Sequence, residues 1–296
     1  MRILLLGKNG QLGWDLHRTL QSLGIVFAVD YPEIDLTSPD SINKTAQEYQ
    51  PELIINAAAY TDVDKAENQV QLAMAINGTA PGILAETARQ LGAAIIHYST
   101  DYVFDGTNDT LYIETDTPNP ISVYGHSKWL GEQAVEQVGG NYLVLRTSWM
   151  YSLRRTNFLK KVLEWARSKT ILRIVTDQVS NPTAARMLAE ATSQMLLCGG
   201  KDIIGWCAQN CGIYHLAGDG YASRFEFTKS ILHYDPLPEE HIFVDIQSTS
   251  SDEFPLPARR PRFSALGCEK FKRTFNISLP PWQVALKLVM EEIPSK

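Results

Sequence analysis

Hydrophobic positions cluster in short blocks along the first half of the chain and do not alternate residue by residue with polar ones. The blocks lie at 3–6, 25–29, 53–55, 93–96 and 142–145. Helical spacing of hydrophobic residues predicts helices over 12–23, 39–49, 68–91 and 123–138. Continuous hydrophobic blocks are typical of strands buried on both faces. Their regular alternation with helices predicts an α/β fold class with a doubly wound parallel sheet.

The second half of the chain is less regular. Helical spacing recurs near 156–168, 184–197, 223–233 and 280–292, and short hydrophobic blocks lie at 213–216 and 242–246. Residues 254–262 are rich in proline and arginine, and proline removes backbone donors, so we expect no regular structure there. We predict two domains. The first is 1–147 with returning segments near 211–247, and a smaller mixed α/β domain comprises 148–210 and 248–296.

Composition narrows the class of protein. The 296 residues are 44% hydrophobic and carry a formal net charge of −6. This balance disfavours nucleic acid as a partner, because phosphate backbones are bound by basic faces. No hydrophobic run approaches the roughly 20 residues of a membrane helix. We therefore expect neither a nucleic-acid nor a membrane partner, and a cytoplasmic location.

The four cysteines are too few for a disulfide framework in a chain of this length. Cys207, Cys211 and His215 follow one another at intervals of four residues. Zinc sites use closer cysteine pairs and a fourth ligand. We therefore expect ordinary packing residues at these positions and no metal.

A glycine-rich turn links the first predicted strand to the first helix. Gly7, Gly10 and Gly13 permit a tight turn, close approach of a pyrophosphate and close packing of helix on strand. The helix then presents free N–H groups to the anion. Asp30 ends the second strand, where a carboxylate can accept hydrogen bonds from an adenosine ribose. The motif predicts a dinucleotide site.

Three further residues point to acid–base chemistry. Tyr124 and Lys128 are four residues apart on a predicted helix and so share one face. A phenol titrates near pH 10 and is a poor acid at neutral pH, so we expect the Lys128 cation to lower the pKa of Tyr124. Thr100, which follows the fourth strand, can bond the same substrate oxygen as Tyr124.

These motifs, in this order along nearly the whole chain, resemble the extended short-chain dehydrogenase/reductase family. Within that family the sequence is most similar to reductases of sugar nucleotides. The matching stretches are Leu5–Trp14, Ile55–Glu67, His97–Phe104, Arg146–Trp149 and Pro257–Pro261. The resemblance implies a Rossmann domain that binds NADPH or NADH, followed by a domain that binds a dTDP-linked sugar. It also implies hydride transfer to the C4 ketone of a 4-keto-6-deoxy sugar.

The resemblance assigns roles residue by residue. The catalytic residues are Thr100, Tyr124 and Lys128. The cofactor would contact Gly7, Gly10, Gln11, Leu12, Gly13, Asp30, Asp35, Leu36, Ala57, Ala58, Ala59, Tyr124 and Lys128. The sugar nucleotide would contact Thr100, Asp101, Trp149, Arg259 and Arg260.

Other functions remain as alternatives. Related 4,6-dehydratases carry Asp-Glu after the catalytic threonine, whereas Thr100 precedes Asp101-Tyr102 here, and this disfavours dehydration. The chain is also similar to the beta subunit of methionine adenosyltransferase, a regulatory protein that could bind dinucleotide without turning it over. Another nucleotide-sugar reductase is the third alternative.

Two properties are left open by the sequence. Asp30 repels a 2′-phosphate, while Lys8 and Arg18 are cations that could accommodate one, so NADH and NADPH both stand. Some family members form homodimers bridged by magnesium through acidic side chains. Asp15 and Glu292 match two of those positions, but Arg186 falls at the third, and its charge opposes a cation. We expect no metal, and the homodimer is undecided.

Overall fold

The computed structural model describes residues 1–294. In the first half the strands are β1 (Arg2–Leu6), β2 (Ile25–Val29), β3 (Leu53–Asn56), β4 (Ala94–Thr100) and β5 (Asn141–Thr147). The helices are α1 (Gln11–Thr19), α2 (Pro39–Tyr49), α3 (Val63–Ala66), α4 (Val70–Ala73), α5 (Ala80–Gln90) and α6 (Val123–Val138). A π-helical turn, Met74–Thr79, joins α4 to α5.

The second half contributes shorter strands and six helices within the described residues. The strands are β6 (Met150–Tyr151), β7 (Ile171–Val175), β8 (Val179–Ser180), β9 (Thr183–Ala184), β10 (Gly212–His215), β11 (Ala222–Ser223) and β12 (Asp245–Thr249). The helices are α7 (Phe158–Ala166), α8 (Ala185–Cys198), α9 (Ile203–Gln209), α10 (Arg224–His233), α11 (Glu269–Phe275) and α12 (Trp282–Met290).

Six parallel strands form the central sheet, in the order β10-β5-β4-β3-β1-β2. The reversal of strand order beside β1 is the point at which doubly wound sheets bind ligands. Both faces of the sheet are buried, as the continuous hydrophobic blocks predict: Leu4 and Leu6 point to one core, and Ile3 and Leu5 point to the other. The predicted fold class is confirmed.

Different helices cover the two faces of the sheet. Residues of α2, α5 and α6, such as Ile42, Leu84 and Val135, pack on one face. The opposite face packs against α1 together with α8, α9 and α11, through residues such as Leu188 and Phe271. Segments from both halves of the chain therefore complete the core of one sheet.

A separate hydrophobic core holds the remaining part of the second half. It joins α7, β7, α10, β12 and α12 around side chains such as Phe227 and Leu286. We call these five elements the C-terminal lobe. The strands β7 and β12 pair in parallel across more than 70 residues of chain, and they form a sheet of their own.

The packing differs from the predicted domain boundaries in two respects. Helices α8, α9 and α11 lie in the predicted second domain, yet they cover the central sheet, because an amphipathic pattern does not say which core a helix joins. Of the predicted returning segments near 211–247, β10 enters the sheet, whereas β12 pairs with β7. Ser295 and Lys296, at the end of the predicted second domain, lie outside the described residues. Within 1–294, no helix has the length and hydrophobicity to cross a membrane.

Candidate active site

The glycine-rich turn has the geometry of a phosphate cradle. Gly7 adopts φ +87°, a conformation that favours glycine. A Cβ on Gly13 would collide with the Gly7 carbonyl, so glycine there lets α1 start directly against the strand. Gly10 caps α1 without a side-chain bond, which leaves the first N–H groups of the helix for an anion. Gln11 and Leu12 form the first turn of α1.

A groove beside this turn brings together six of the thirteen residues predicted to contact the cofactor. It is lined by Gly7, Asp30, Tyr31, Ile34, Asp35, Leu36, Thr37, Ala58, Ala59, Leu72 and Ile76. Asp30 accepts a hydrogen bond from the Asn9 backbone N–H at 2.9 Å, which fixes its carboxylate beside the turn. Lys8 is paired with Glu33, 2.7 Å away. Arg18 instead stacks on Trp14, 3.3 Å from the ring centre.

The three predicted catalytic residues line one cleft at the carboxyl ends of the strands. Thr100 ends β4, whereas Tyr124 and Lys128 lie on α6. The cleft is lined by Leu12, Ala57, Ala58, Ala59, Thr61, Tyr98, Ser99, Thr100, Asp101, Tyr124, Lys128, Thr147, Ser148, Trp149 and Met150. Since Ala58 and Ala59 also line the cofactor groove, the groove and the cleft meet.

Close packing fixes α6 against the sheet. The Ser122 hydroxyl accepts from the Gly125 backbone N–H at 3.1 Å and caps the helix. A Cβ on Gly125 would collide with the Tyr102 carbonyl. The absence of that atom lets the first turn of α6, which carries Tyr124, lie against the segment after Thr100.

The electrostatics of Tyr124 differ from the expectation. Burial raises the pKa of the phenol above its usual value, against the opposing effect of a hydrogen bond to Thr100. Lys128 does not offset this effect, because its Nζ donates to the Tyr98 carbonyl at 2.6 Å. Burial lowers the pKa of Lys128 to about 8. Tyr124 therefore stays protonated at neutral pH, as a proton donor must.

Asp101 lies buried next to Thr100. The Thr100 hydroxyl donates to its Oδ1 at 3.2 Å, while Ser180 and Ser264 donate to its Oδ2. Burial raises the pKa of Asp101 to about 6, although these hydrogen bonds oppose the shift. Because the Thr100 hydrogen points to Asp101, the lone pairs of the threonine oxygen face the other donors in the cleft.

The cleft suits the nicotinamide end of a dinucleotide. The buried hydroxyls of Ser99 and Thr147 line it, and neither has a hydrogen-bond partner. Buried polar groups are normally satisfied, so unpaired hydroxyls here fit a bound amide or sugar. Together with the glycine cradle that a Cβ would fill, these residues fit NAD(P).

A second groove lies beside the cleft, along the C-terminal lobe, and its Tyr102 and Arg224 contact Tyr124 and Trp149 of the cleft. It holds five basic side chains, those of Lys161, Lys169, Arg173, Arg224 and Arg260, and none of its lining residues is acidic. Aromatic side chains line it as well, namely Tyr102, Phe158, Trp165 and Phe254. We call it the basic–aromatic groove. Cationic and aromatic groups together suit a phosphorylated ring compound.

The predicted sugar-nucleotide residues do not all line the same site. Thr100, Asp101 and Trp149 line the cleft, whereas the two arginines lie outside it. Trp149 lies in the cleft in a left-handed conformation, φ 36°, with Arg224 stacked 3.5 Å from its ring centre. Arg260 lines the basic–aromatic groove and donates to Asp64 at 2.7 Å. Arg259 is exposed and lines a neighbouring surface pocket instead. Arg260 lines this surface pocket as well, but only Arg260 also reaches the basic–aromatic groove, which spacing alone does not reveal.

Sequence reasoning missed Arg224 and Tyr102. The Arg224 and Arg260 side chains both lie close enough to the Tyr102 side chain to interact with it electrostatically. Burial lowers the pKa of Arg224 to about 10, so it remains charged at neutral pH. In the sequence, Arg224 is one surface-type residue at a helix start, and only the Ser223–Glu226 capping box marks that position.

The acidic positions considered for a bridging metal lie on another face. Arg186 donates to Glu292 and to Glu190, each at 2.9 Å. Asp15 lines the same surface pocket. Across residues 1–294, no group of three or more His, Cys, Asp or Glu side chains is placed to hold a metal ion.

A doubly wound sheet with a glycine cradle, joined to a Thr–Tyr–Lys cleft, defines an extended short-chain dehydrogenase/reductase. The chain belongs to the family described as RmlD substrate binding domain, whose profile matches residues 1–294.

Named relatives match over their full lengths. The dTDP-4-dehydrorhamnose reductase of Burkholderia thailandensis is 39% identical over 303 residues, covering 100% of both chains. A crystal structure of dTDP-4-dehydrorhamnose reductase from Bacillus anthracis in complex with NADP is 31% identical, with a TM-score of 0.87 and coverage of 98% and 99%. The corresponding structure from Clostridium acetobutylicum is 33% identical, with a TM-score of 0.88 and the same coverage.

Proposed function

We propose that this chain is a dTDP-4-dehydrorhamnose reductase. It reduces the C4 ketone of dTDP-4-dehydro-6-deoxy-L-mannose with NADPH or NADH and releases dTDP-L-rhamnose. The observation that carries the proposal is the adjacency of three sites. The cofactor groove shares Ala58 and Ala59 with the Thr100–Tyr124–Lys128 cleft. Tyr124 and Trp149 of that cleft contact Tyr102 and Arg224 of the basic–aromatic groove. Relatives of full length bear that enzyme's name, and one relative is in complex with NADP.

The residues of the cleft have separate roles in the reduction. The cofactor, when bound, supplies the hydride that adds to C4. Tyr124 donates its phenolic proton to the oxygen at C4 as negative charge develops there. Thr100 orients that oxygen by donating its hydroxyl hydrogen to it, which requires the hydrogen to turn away from Asp101 Oδ1. Lys128 binds the cofactor ribose and supplies the positive charge that balances the Tyr124 phenolate left behind.

The basic–aromatic groove accounts for the nucleotide part of the substrate. Arg224 and Arg260 flank the Tyr102 hydroxyl and present two guanidinium groups, which suit a diphosphate. Aromatic rings farther along the groove, such as Trp165 and Phe254, suit stacking on a pyrimidine base. Trp149 closes the sugar end of the cleft. Arg259 lies outside this groove, and we assign it no contact with the diphosphate.

The reduction itself is the first test. The purified protein is mixed with the dTDP-linked 4-keto sugar and NADPH or NADH, and absorbance of the reduced cofactor is followed. We expect continuous loss of absorbance with equal formation of dTDP-L-rhamnose. A dinucleotide-binding regulatory protein gives no turnover, and faster turnover of a UDP- or GDP-linked keto sugar would assign a different nucleotide-sugar reductase.

The Tyr124→Phe variant tests the assigned proton donor. It keeps the ring and its packing but removes the acid, so kcat falls about 100- to 10,000-fold while the Kd for NADPH stays close to that of the wild type. Stopped-flow kinetics and fluorescence titration with NADPH measure the two quantities. Wild-type kcat in this variant would contradict the assignment of Tyr124.

Three further properties belong to this proposal. Residues 1–147 with β10 hold the cofactor, and the C-terminal lobe with residues 254–262 holds the sugar nucleotide. The cytoplasmic location stays a prediction from the sequence, and the homodimer stays undecided. Sedimentation with and without a chelator measures the oligomeric state and any dependence on metal.

A further inference from the structure

A buried chain of polar side chains lies directly behind Lys128. Asn56 ends β3, His97 lies in β4 and Lys128 lies on α6, and each is at most 2% exposed. Asn56 Nδ2 is 3.1 Å from His97 Nδ1, and His97 Nε2 is 3.3 Å from Lys128 Nζ. Of these three side chains, only Lys128 has a role in the proposed reduction. The buried positions of Asn56 and His97 therefore call for an explanation.

The hydrogen bond between Asn56 and His97 fixes which atoms donate and which accept along this chain of side chains. The Ala58 backbone N–H donates to Asn56 Oδ1 at 3.2 Å, which places the amide NH₂ of Asn56 toward His97. That NH₂ group can only donate, so His97 Nδ1 accepts, and the neutral imidazole carries its proton on Nε2. The Nε2–H group therefore points at Lys128 Nζ.

The contact between His97 and Lys128 favours the uncharged form of Lys128. A neutral amine accepts from His97 Nε2–H and still donates to the Tyr98 carbonyl, so every bond runs in one direction. An ammonium group has only donors and would oppose Nε2–H. If His97 changed tautomer to relieve that contact, its Nδ1–H would oppose the Asn56 amide. The ammonium form thus meets an opposing donor in either arrangement.

Other charged groups around Lys128 act more weakly or in the opposite sense. Glu132, on the same helix, favours the ammonium form, but it is paired with Arg146 of β5. Burial, which disfavours the ammonium, is the largest influence and lowers the pKa of Lys128 to about 8. The pKa of His97 is held well below its usual value by burial and by Lys128. The remaining titratable neighbours around the cleft are Tyr98, Asp101, Tyr102 and Tyr124.

We propose that Asn56 and His97 are positioning residues that destabilise the ammonium form of Lys128 and thereby set the upper pH limit of the reduction. The proposal rests on the function assigned above. A lysine that titrates near the working pH can pass its proton to the Tyr124 phenolate and regain one from solvent. A lysine with its usual pKa would stay protonated throughout the working range and would set no such upper limit.

The His97→Gln variant tests the last link of the chain. Glutamine is of similar reach, and its carbonyl can accept from the ammonium, so the opposing donor disappears. We expect the alkaline limb of the kcat/KM profile for reduction to move upward by about one pH unit. An unchanged limb, or one that moves downward, would overturn the proposal.

The Asn56→Asp variant tests the first link without relying on the imidazole substitution. Its carboxylate still accepts from the Ala58 N–H but also accepts from His97 Nδ1–H, which reverses the tautomer and leaves Nε2 to accept from the ammonium. We expect a larger upward shift of the alkaline limb than in His97→Gln. A smaller shift, or none, would contradict a chain that acts through its direction.

Nitrogen-15 NMR of labelled histidine tests the wild-type protein independently of turnover. We expect the Nε2–H tautomer of His97 from about pH 6 to pH 9, changed to the Nδ1–H tautomer by Asn56→Asp. An Nδ1–H tautomer in the wild type would overturn this proposal even in an active reductase. An inactive wild-type protein with the expected tautomer would instead contradict the proposed function.

His215→Gln is the matched control. His215 is also fully buried, and its Nε2 lies 3.4 Å from the Arg146 guanidinium, but it contacts neither Lys128 nor the cleft. The pH profile of kcat/KM for the His215→Gln variant should equal that of the wild type. A shift of the same size in this variant would assign the effect to loss of any buried imidazole and would count against the proposal.

Discussion

The carboxylate of Asp30 lies beside the glycine-rich turn and lines the groove proposed for the cofactor. Its two oxygens accept from the backbone N–H groups of Asn9 and Tyr31. A 2′-phosphate would place further negative charge beside it. Lys8 is a cation within the turn, but it is already paired with Glu33. We therefore propose that the charge at this one position controls the preference between NADH and NADPH.

The Asp30→Asn variant should favour NADPH. It retains an acceptor oxygen for the turn but removes the charge, and we expect the ratio of kcat/KM for NADPH to that for NADH to rise about tenfold, equivalent to roughly 1.4 kcal/mol. Steady-state kinetics with both cofactors measure the ratio. Asp40→Asn, an exposed substitution in the first turn of α2, is the control. A ratio that is unchanged in Asp30→Asn would exclude this charge as the determinant.

Residues with a local motif were the ones that the sequence could place. Gly7, Thr100, Tyr124 and Lys128 each stand at a strand end or in a short motif, and the sheet brings strand ends to one edge. Arg224 lies 100 residues from Tyr124 and has no such motif. Only the fold brings it to Tyr102, so its place in the groove was not predictable from spacing.

At the scale of elements, one buried ion pair holds the catalytic helix to the sheet. Glu132 of α6 and Arg146 of β5 form a two-pronged pair, with N···O distances of 2.7 and 2.9 Å, and both are at most 2% exposed. Removing one partner from a buried pair leaves an uncompensated charge, which is costly. The stability of the whole protein therefore depends on the pair beneath α6.

The Glu132→Gln variant should lose about 3–5 kcal/mol of unfolding free energy, since Arg146 is left buried without its counter-charge. Urea denaturation followed by circular dichroism measures the loss. The comparison is Glu86→Gln, which breaks an exposed pair with Arg89 on α5 and should cost less than about 1 kcal/mol. Equal losses in the two variants would contradict the special role of the buried pair.

The hydrophobic pattern predicted elements better than it predicted their ends and partners. The block at 93–96 marks β4, but the strand continues to Thr100, because the backbone of its polar residues pairs with β5. The predicted helix over 68–91 is interrupted by the π-helical turn, where Asn77 bonds the backbone of Tyr60. The β7–β12 pairing is long-range, and no local signal specifies such partners.

At the scale of the whole molecule, an ion pair connects helix α3 to the proline-rich segment. Asp64 accepts from Arg260 at 2.7 Å and from the Ala258 backbone N–H at 3.2 Å. This contact spans nearly 200 residues of chain. It orients the Arg260 guanidinium in the basic–aromatic groove and fixes the segment beside the cofactor half.

The Asp64→Asn variant should weaken binding of the sugar nucleotide. Loss of a partly buried charge pair frees Arg260, and we expect KM for the dTDP-sugar to rise about tenfold, equivalent to roughly 1.4 kcal/mol, with little change in KM for the cofactor. Initial-rate kinetics with each substrate varied measure both constants. Asp62→Asn is the control, because Asp62 pairs with Lys65 and not with Arg260. Equal effects on both Michaelis constants would contradict this account.

The position of β10 at the edge of the central sheet has a consequence for biosynthesis. During translation β1 to β5 are complete before residue 150. The sixth strand of the central sheet, β10, follows more than 60 residues later. Until then β5 has an unpaired edge, and one face of the sheet lacks α8, α9 and α11. Such a nascent chain exposes features that promote aggregation. A truncation near residue 150 therefore removes one strand and three helices that complete the central sheet.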